Sequence, residues 1–319
     1  MFVKVKQAGA LTTIQDAGRY GYQELGIPVA GAMDQAAMKT ANILVGNEMD
    51  APVLECIGFG PVLEFSGPVC FAVSGGEFRV LLNEVPLEMN RAYRAEEGDI
   101  LKVTNSVKHR SCCIAFSGKI IAEEKAGSYA TDIKSGLGGY SGRKLRAGDM
   151  IGIAAPAKTL PNMKKRVTAS YLKDEDIHVL RVTEGPNEEA FTEKGLRTFY
   201  SSVYTVSPKS DRMGFRLDGA AIETVKGNDI LSAGITDGAV QVTPAQPVLM
   251  MKDHAATGGY AVIAVVISAD LPQASQLLPG DRIRFEKVSV EEAEKLIQAQ
   301  NEKLRELHRK LDKRILGLF

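Results

Sequence analysis

One short polar segment, SPKSDRMGFRL at residues 207–217, carries the residue types in this chain that are best suited to chemistry. Ser210, Asp211 and Arg212 place a hydroxyl, a carboxylate and a guanidinium side by side, and Gly214 follows them. Arginine presents five donors in a rigid plane, which suits carboxylate, carbonyl or phosphate oxygens. The segment is therefore either one wall of a ligand site or a turn held by a local Asp211–Arg212 ion pair.

A second candidate segment, residues 12–34, is rich in glycine and is predicted to be a loop. Glycine at this density permits positive φ angles and a close approach of the backbone to a ligand. Gln15, Asp16 and Arg19 are polar side chains that such a loop could present to a substrate. The alternative is that the loop covers one end of a β-barrel.

Asp34 ends this loop and is predicted to cap a helix, because its oxygens can accept from the amides of the first turn. Apolar residues recur on one helical face after it, and Gly46 provides the C-terminal cap. Asn42 lies beside that face. It is either a buried amide with satisfied hydrogen bonds or a site residue directed at the glycine-rich loop.

The overall composition restricts the class of protein. The chain has 319 residues, of which 45% are hydrophobic and 24% charged, and this profile is typical of a globular protein with about two domains. Lys plus Arg and Asp plus Glu both number 39, so the net charge is zero. This balance argues against nucleic acid or an anionic membrane as partner, since both favour a basic face.

Neither a metal site nor a targeting segment is predicted. The four cysteines include no CxxC pair and are expected to be buried apolar residues in a reducing cytosol. The four histidines show no metal-ligand spacing. The N-terminus has no apolar signal core, and the longest apolar run, residues 260–267, is too short to cross a bilayer. We therefore expect a soluble, cytoplasmic protein.

Most of the chain shows the pattern of short strands. Apolar alternation with turn signals about every ten residues runs from residue 52 to residue 153 and indicates a sandwich or barrel. Three phrases, EEGDILKV, RAGDMIGI and LPGDRIRF, repeat a Gly-Asp turn followed by an alternating strand.

The glycine-rich stretch GLGGYSGRK at residues 136–144 is either a cationic anion-binding loop or a flexible surface loop. It is not a GxxxxGK[ST] phosphate loop.

The pattern divides the chain into four parts: an N-terminal barrel-like domain at residues 1–160, a linker at 161–175, a second barrel domain at 176–288 and a helix at 289–319. Within the second domain, VQVTPAQPVLMMKD is predicted as an edge or bulged strand that brings Gln241, Gln246 and Asp253 to strand ends. TGGY at residues 257–260 is predicted as a turn. The terminal helix is expected from Val290 to about Leu316, either as a coiled-coil seam or packed on its own barrel.

Seven motifs in a fixed order carry a resemblance to a known family. They are TTIQDAGRYGYQ, AGAMDQAAMKTANILVGN, GLGGYSGR, SDRMGFRLDG, GAVQVTPAQPVLMMKD, TGGYAVIA and PGDRIRF. In this order they resemble the allophanate hydrolase subunit 2 family, which is also described as the family of KipA or of the C component of 5-oxoprolinase. The resemblance covers nearly the whole chain except the terminal helix. It implies a mainly β fold with a few helices, built as two cyclophilin-like β-barrels plus the C-terminal helix.

The resemblance also implies three functions. The first is a subunit of an ATP-dependent 5-oxoprolinase that acts on a small cyclic amide with a subunit-1/B-type partner and a third component. The second is biotin-dependent carboxyl transfer to urea or a related amide. Because no AMKM-like attachment sequence is present, biotin would then be carried by a separate protein. The third is a regulatory antagonist of a histidine-kinase inhibitor protein.

The motifs of the resemblance select the candidate site residues. Those with a catalytic role would be Asp211, Arg212 and Asp34. Those that bind substrate would be Arg19, Gln15, Asn42, Ser210, Gln246, Thr257, Gly258, Gly259 and Tyr260.

Overall fold

The computed structural model describes residues 1–312 of the chain, which forms two compact units. The first unit contains Met1–Arg19, Asp34–Leu172 and the described residues from Asn301 to Asp312. The second contains Tyr20–Met33 and Lys173–Gln300. Each unit has a hydrophobic core of its own. The domain limits predicted at residues 160, 175 and 288 stay predictions.

Ten strands of the first unit form one sheet. Their bounds are β1 Phe2–Gln7, β2 Leu11–Gln15, β3 Val53–Ile57, β4 Val62–Phe65, β5 Val69–Leu82, β6 Val85–Leu87, β7 Ala92–Ala95, β8 Ile100–Phe116, β9 Lys119–Ile120 and β10 Met150–Ala154. Neighbours follow the order β2-β3-β8-β4-β1-β10-β9, and β5 pairs with β6, β7 and β8. The 17-residue β8 therefore joins the two parts of the sheet, because it pairs with β3, β4 and β5.

The alternation in the sequence places the apolar side chains of this sheet in its core. Val3 and Val5 of β1 are fully buried, whereas the lysines beside them are exposed. This follows from the two-residue period of a strand, which sends successive side chains to opposite faces. Phe65 stacks on Phe71 with ring centroids 5.6 Å apart and meets Phe116 edge to face at 6.1 Å. The aromatic cluster fills the interior between the strands.

One helix, α1 at Gln35–Val45, packs against β5 and β8 of the same unit. Asp34 caps it, since its Oδ1 accepts a hydrogen bond from the Ala37 amide at 2.9 Å. Gly46 ends it in the left-handed conformation at φ 75°. The helix and both caps predicted from the sequence are confirmed.

The second unit is a closed barrel with a two-stranded ribbon. Its strands are β11 His178–Glu184, β12 Tyr204–Val206, β13 Gly214–Asp218, β14 Asp229–Gly234, β15 Ala239–Val242, β16 Pro247–Met250, β17 Thr257–Tyr260, β18 Val262–Val266 and β19 Arg282–Lys287. The barrel order is β11-β18-β15-β16-β13-β12-β19, and β14 pairs with β17. β19 closes the barrel by running parallel to β11, whereas the other strand pairs of the barrel are antiparallel. The mainly β fold class is confirmed.

Three further helices complete the described chain: α2 Glu193–Ser201, α3 Leu271–Ser275 and α4 Val290–Asp312. α2 begins after Thr192, whose hydroxyl accepts from the Gly195 amide at 3.0 Å. One of the two hydrogen bonds of the predicted capping box of α4 is present: the Glu292 amide donates to Ser289 Oγ at 3.2 Å. The predicted continuation of this helix to Leu316 lies outside the described residues. No helix in the part of the chain that is described is long and apolar enough to cross a membrane.

The three Gly-Asp phrases form the same turn. In each, the aspartate carboxylate accepts from the amide three residues earlier at 2.7 Å, and the preceding glycine has a positive φ between 84° and 96°. The donor–acceptor pairs are Glu96–Asp99, Arg146–Asp149 and Leu278–Asp281. The repeat is therefore a real structural unit, used before β8, β10 and β19.

Three predicted elements differ from the observed ones. Residues 12–15, placed in the glycine-rich loop, belong to β2, because β-branched Thr12, Thr13 and Ile14 pair with β3. TGGY, predicted as a turn, is strand β17. VQVTPAQPVLMMKD, predicted as one strand, is the β15–β16 hairpin, because Thr243 Oγ1 bonds the Gln246 carbonyl and closes a turn.

Candidate functional site

A cleft of about 570 Å³ lies in the second unit. Its volume falls within the range of about 300–1,000 Å³ that is usual for small-molecule sites. Strands β13, β15, β16 and β17 and the loop after β16 supply its walls. The residues that line the cleft are Lys209, Asp211, Met213, Gly214, Arg216, Ile235, Gln241, Thr243, Pro244, Ala245, Val248, Met250, His254, Ala255, Thr257, Gly258, Gly259 and Tyr260.

Two cations on the lining have no ion-pair partner in the described part of the chain. Lys209 and Arg216 are both exposed, and neither forms an ion pair with any residue between 1 and 312. Arg216 faces out of the barrel because Phe215 and Leu217, its neighbours in β13, are fully buried inside it. The cleft therefore offers positive charge to a ligand.

The connection before β13 is shaped by its own polar residues. Asp211 lines the cleft, and its Oδ1 accepts from the Met213 and Gly214 amides at 2.8 and 3.3 Å. Ser210 Oγ accepts from the Arg216 amide at 3.0 Å. Both side chains thus hold the turn that presents Arg216.

Arg212 does not pair with its neighbour Asp211, so the local ion pair considered from the sequence is wrong. Its Nε and Nη2 lie 2.7 and 2.9 Å from the two oxygens of Asp253, and Nη2 also donates to the Gly31 carbonyl at 2.8 Å. Arg212 is buried and is not part of the cleft lining. It ties the 207–214 connection to the loop after β16. A role for it in catalysis stays a prediction.

All four residues of the TGGY motif line the cleft, and their role in substrate binding stays a prediction. Gly258 is required for this wall, because an added Cβ would lie 2.6 Å from the Gln241 amide and 2.3 Å from Ile235. That space lets Gln241 Nε2 donate to the Tyr260 carbonyl at 3.0 Å. Gln246, also predicted to bind substrate, is outside the lining, and its backbone bonds Thr243 within the hairpin turn.

An ion cluster of Asp237, Lys252 and His254 lies next to the cleft, and His254 is the member of the cluster that lines it. Lys252 Nζ is 2.5 Å from Asp237 Oδ2 and 3.4 Å from the Tyr20 hydroxyl. His254 Nε2 is 3.3 Å from Asp237 Oδ1. The side chains of Lys252 and His254 are almost completely buried and that of Asp237 is largely buried, which strengthens their mutual electrostatic interaction.

The charges of this cluster stabilise one another. Burial raises the pKa of the Asp237 carboxyl, but His254 and Lys252 outweigh that effect and bring the pKa below its usual value. Burial lowers the pKa of Lys252, but Asp237 and Tyr20 outweigh it and raise that pKa above its usual value. Asp237 is therefore an anion and Lys252 a cation at neutral pH.

Four predicted site residues belong to the first unit, whereas the cleft belongs to the second. Asp34 caps α1 and also accepts from the Tyr171 hydroxyl. Asn42 is fully buried and donates to the Met49 and Ala51 carbonyls at 3.2 and 2.7 Å. It therefore has the geometry of a satisfied buried amide.

The other two, Gln15 and Arg19, lie together against residues 130–131. Gln15 Nε2 donates to the Thr131 carbonyl at 3.0 Å, and Arg19 Nη2 donates to the Ala130 carbonyl at 2.7 Å. Gln15 Oε1 and Arg19 Nη1 are buried and have no hydrogen-bond partner among residues 1–312. Both side chains are fully buried, so a role in substrate binding stays a prediction.

The sequence did not single out Lys209, Arg216, His254, Asp237 or Lys252 as site residues. One signal was available: Lys252, Asp253 and His254 form a run of ionisable residues directly after an apolar strand. Asp237 carried no such signal, because only the fold brings it to Lys252. Within the described chain no group of His, Cys, Asp and Glu could hold a metal ion, and the four cysteines are free and buried.

Known proteins share both the sequence pattern and the fold of this chain. A family model described as carboxyltransferase domain, subdomain A and B, matches residues 25–287. The chain is 33% identical over 303 residues to the C component of the 5-oxoprolinase of Haemophilus influenzae, covering 95% of this chain and 96% of that one. It is 31% identical to urea amidolyase of Lachancea kluyveri, covering 93% of this chain and 17% of that one. The crystal structure of Kluyveromyces lactis urea carboxylase matches with a TM-score of 0.89 at 29% identity, covering 100% of this chain and 30% of that one.

Proposed function

Since the chain belongs to the carboxyltransferase domain family, we propose that it is the C component of an ATP-dependent 5-oxoprolinase. In this proposal it opens the cyclic amide of 5-oxoproline to glutamate together with a subunit-1/B-type protein and a third component. The observation that carries the proposal is the extent of the similarity to the Haemophilus influenzae relative, which spans 95% of this chain and 96% of that protein. The urea amidolyase match spans only 17% of its relative.

The lining of the cleft supports this substrate class. 5-Oxoproline has one carboxylate, one cyclic amide and a small apolar ring. Lys209 and Arg216 would bind the carboxylate, because charge-assisted hydrogen bonds to carboxylates are among the strongest in proteins. Gln241 lies on the same lining and would bind the amide. Met213 and Val248 would pack against the ring carbons.

The chemistry that this cleft would support is the hydrolysis of an activated amide. Phosphorylation of the lactam oxygen by ATP makes the carbonyl carbon susceptible to water. Water adds to that carbon and the C–N bond breaks, so that the nitrogen takes up protons and becomes the free amine of an acyl phosphate. A second water then hydrolyses the acyl phosphate to the side-chain carboxylate of glutamate and inorganic phosphate. This chain would hold and orient the substrate, and its cationic lining would stabilise the negative charge that develops. We place the ATP site on a partner protein of the complex.

A second candidate function, favoured by the family model, is biotin-dependent carboxyl transfer to urea or a related amide. The apolar side chains Met213, Ile235 and Met250 stand beside the Gln241 amide on the lining and fit the ring system of biotin carried by a separate protein. Biotin would supply the carboxyl group. The side chains of this chain would hold its ring and bind the acceptor amide.

The test of both functions is reconstitution. The purified chain, alone and with the proteins that co-purify with it, is assayed for 5-oxoproline-dependent ATP hydrolysis and for glutamate formation. We expect activity only in the assembled complex. Absence of activity in every combination would refute the proposal, and urea-dependent consumption of bicarbonate with a biotinylated protein would establish the alternative.

A matched pair of arginine variants tests whether the cleft binds the carboxylate. We expect Arg216→Ala to raise the KM for 5-oxoproline about tenfold, which equals the loss of about 1.4 kcal/mol from one charge-assisted contact. Arg282 is also an exposed arginine on a barrel strand but lies outside the lining, so Arg282→Ala is the control. Equal KM values for the two variants would contradict a role for Arg216.

A further inference from the structure

The ion cluster determines where one proton of His254 is located. His254 Nδ1 lies 2.7 Å from the Ala255 carbonyl oxygen. A carbonyl oxygen can only accept, so Nδ1 must carry a proton and donate it. The other ring nitrogen, Nε2, faces Asp237 Oδ1 at 3.3 Å.

The environment of Nε2 favours a second proton on the ring. Without that proton, Nε2 would direct a lone pair at a carboxylate oxygen, and two acceptors would face each other in a buried place. Within residues 1–312, Nε2 and Asp237 Oδ1 are both buried and have no other hydrogen-bond partner. A proton on Nε2 converts this repulsion into attraction between an imidazolium and a carboxylate.

We propose that His254 is held as an imidazolium by Asp237 and that its charge makes the cleft a site for carboxylate ligands, whose affinity falls as the pH rises. The inference rests on the proposed function only for the identity of 5-oxoproline as the ligand. With both ring nitrogens protonated, the two cations of the cluster outnumber its single anion. His254 itself lines the cleft, and a buried charge is screened less than an exposed one.

The sign of the pH effect follows from this charge. Raising the pH removes the proton from His254, the cluster becomes neutral, and the attraction for a carboxylate weakens. Several other charged or titratable groups lie near His254 or on the lining. They are Asp237 and Lys252 in the cluster, Tyr20 beside Lys252, and Lys209, Asp211, Arg216 and Tyr260 on the lining.

The protonation state is measured by nuclear magnetic resonance on the full chain labelled with ¹⁵N-histidine. The chain has four histidines, and the His254 signal is assigned by its absence in His254→Gln. We expect both ring nitrogens of His254 to carry protons at pH 7 and only one to do so in Asp237→Asn. A ring with a single proton at pH 7 in the unaltered protein overturns the inference, whatever the enzyme assays give.

The binding consequence is measured by calorimetry with 5-oxoproline and with 5-oxoprolinamide, which lacks the carboxylate. We expect the Kd of 5-oxoproline to rise about tenfold from pH 6 to pH 8. In His254→Gln the Kd of 5-oxoproline should be about tenfold above that of the unaltered protein at pH 6 and should not change with pH. The Kd of the uncharged amide should change in neither experiment, because it carries no charge for His254 to attract.

Two outcomes separate this inference from the proposed function. If the Kd of 5-oxoprolinamide changes with pH and in His254→Gln as much as the Kd of 5-oxoproline does, the inference is overturned. Equal changes would indicate a structural effect on the cleft wall, which acts on both ligands. If 5-oxoproline does not bind, the proposed function fails, and acetate is used as the probe of the anion site. Acetate binding that weakens from pH 6 to pH 8 and is lost in His254→Gln then supports the inference, and its absence refutes it.

Discussion

For a buried arginine, the partner decides the role of the residue. Arg212 lies next to Asp211 in the sequence but pairs through two nitrogens with Asp253, which is 41 residues away. Asp211 already accepts from two amides of its own turn. A two-point contact also needs a carboxylate in the plane of the guanidinium, which Asp253 provides. The first role of Arg212 in the folded chain is therefore to join two segments of the second unit.

We expect Arg212→Ala to lower the free energy of unfolding by about 3–5 kcal/mol, because Asp253 would keep a largely buried charge without its partner. The matched control is Arg216→Ala, because Arg216 is exposed, lies four residues away and forms no ion pair within the described part of the chain; this variant should change stability by less than about 0.5 kcal/mol. Urea unfolding of both variants measures the difference. A loss below about 1 kcal/mol for Arg212→Ala would show that the pair contributes little to stability.

At the scale of elements, the glycine-rich stretch at residues 136–144 is a packed loop. An added Cβ on Gly138 would lie 2.9 Å from Arg19 Nη2, and one on Gly139 would lie 1.9 Å from Thr131 Oγ1. Arg143, a cation considered for anion binding, is engaged by both oxygens of Asp149 at 2.8 Å. Gly138 and Gly139 thus permit the close approach of this loop to buried side chains.

Two glycines of this loop provide a matched test. Gly136 and Gly139 both have positive φ, at 67° and 60°, but only Gly139 has neighbours within 4 Å of an added Cβ. Gly136→Ala should cost about 1–2 kcal/mol of stability from its backbone conformation alone. Gly139→Ala should cost about 1–3 kcal/mol more, because Thr131 must also move. Equal losses, measured by thermal unfolding, would show that the loop has room at Gly139.

At the scale of the whole molecule, each unit depends on contacts between distant parts of the chain. The barrel of the second unit closes through the parallel pair of β11 and β19, which begin at residues 178 and 282. In the core of that barrel, Phe199 of α2 stacks on Phe285 of β19 with ring centroids 4.5 Å apart. The aromatic contact therefore links α2 to β19, the strand that closes the barrel.

We expect Phe199→Ala to reduce stability by about 3–5 kcal/mol, since it removes a fully buried ring and leaves a cavity. Leu231 in the β14–β17 ribbon is 94% exposed, so Leu231→Ala should change stability by less than about 0.5 kcal/mol. Thermal unfolding monitored by circular dichroism compares the two variants with the unaltered chain. A small effect of Phe199→Ala would mean that the barrel core repacks without the ring.

The sequence alone determined the features that depend on neighbouring residues. The strand alternation of β1, the caps of α1 at Asp34 and Gly46 and the repeated Gly-Asp turns all follow from interactions within a few positions. The ordered motifs also identified the family without the fold. The β15–β16 hairpin and β17 were missed, because each of these strands is defined by its pairing with another strand, and the local sequence does not show which segments pair.

Only the tertiary structure decided which side chains interact. It paired Arg212 with Asp253 instead of Asp211 and brought Asp237 to Lys252 and His254 at the cleft. It also placed the cationic lining at Arg216, a residue that the sequence shows only as one charge in an alternating strand. The physical reason is that the strength of a charge pair depends on distance and burial, and both are set by the closure of the barrel.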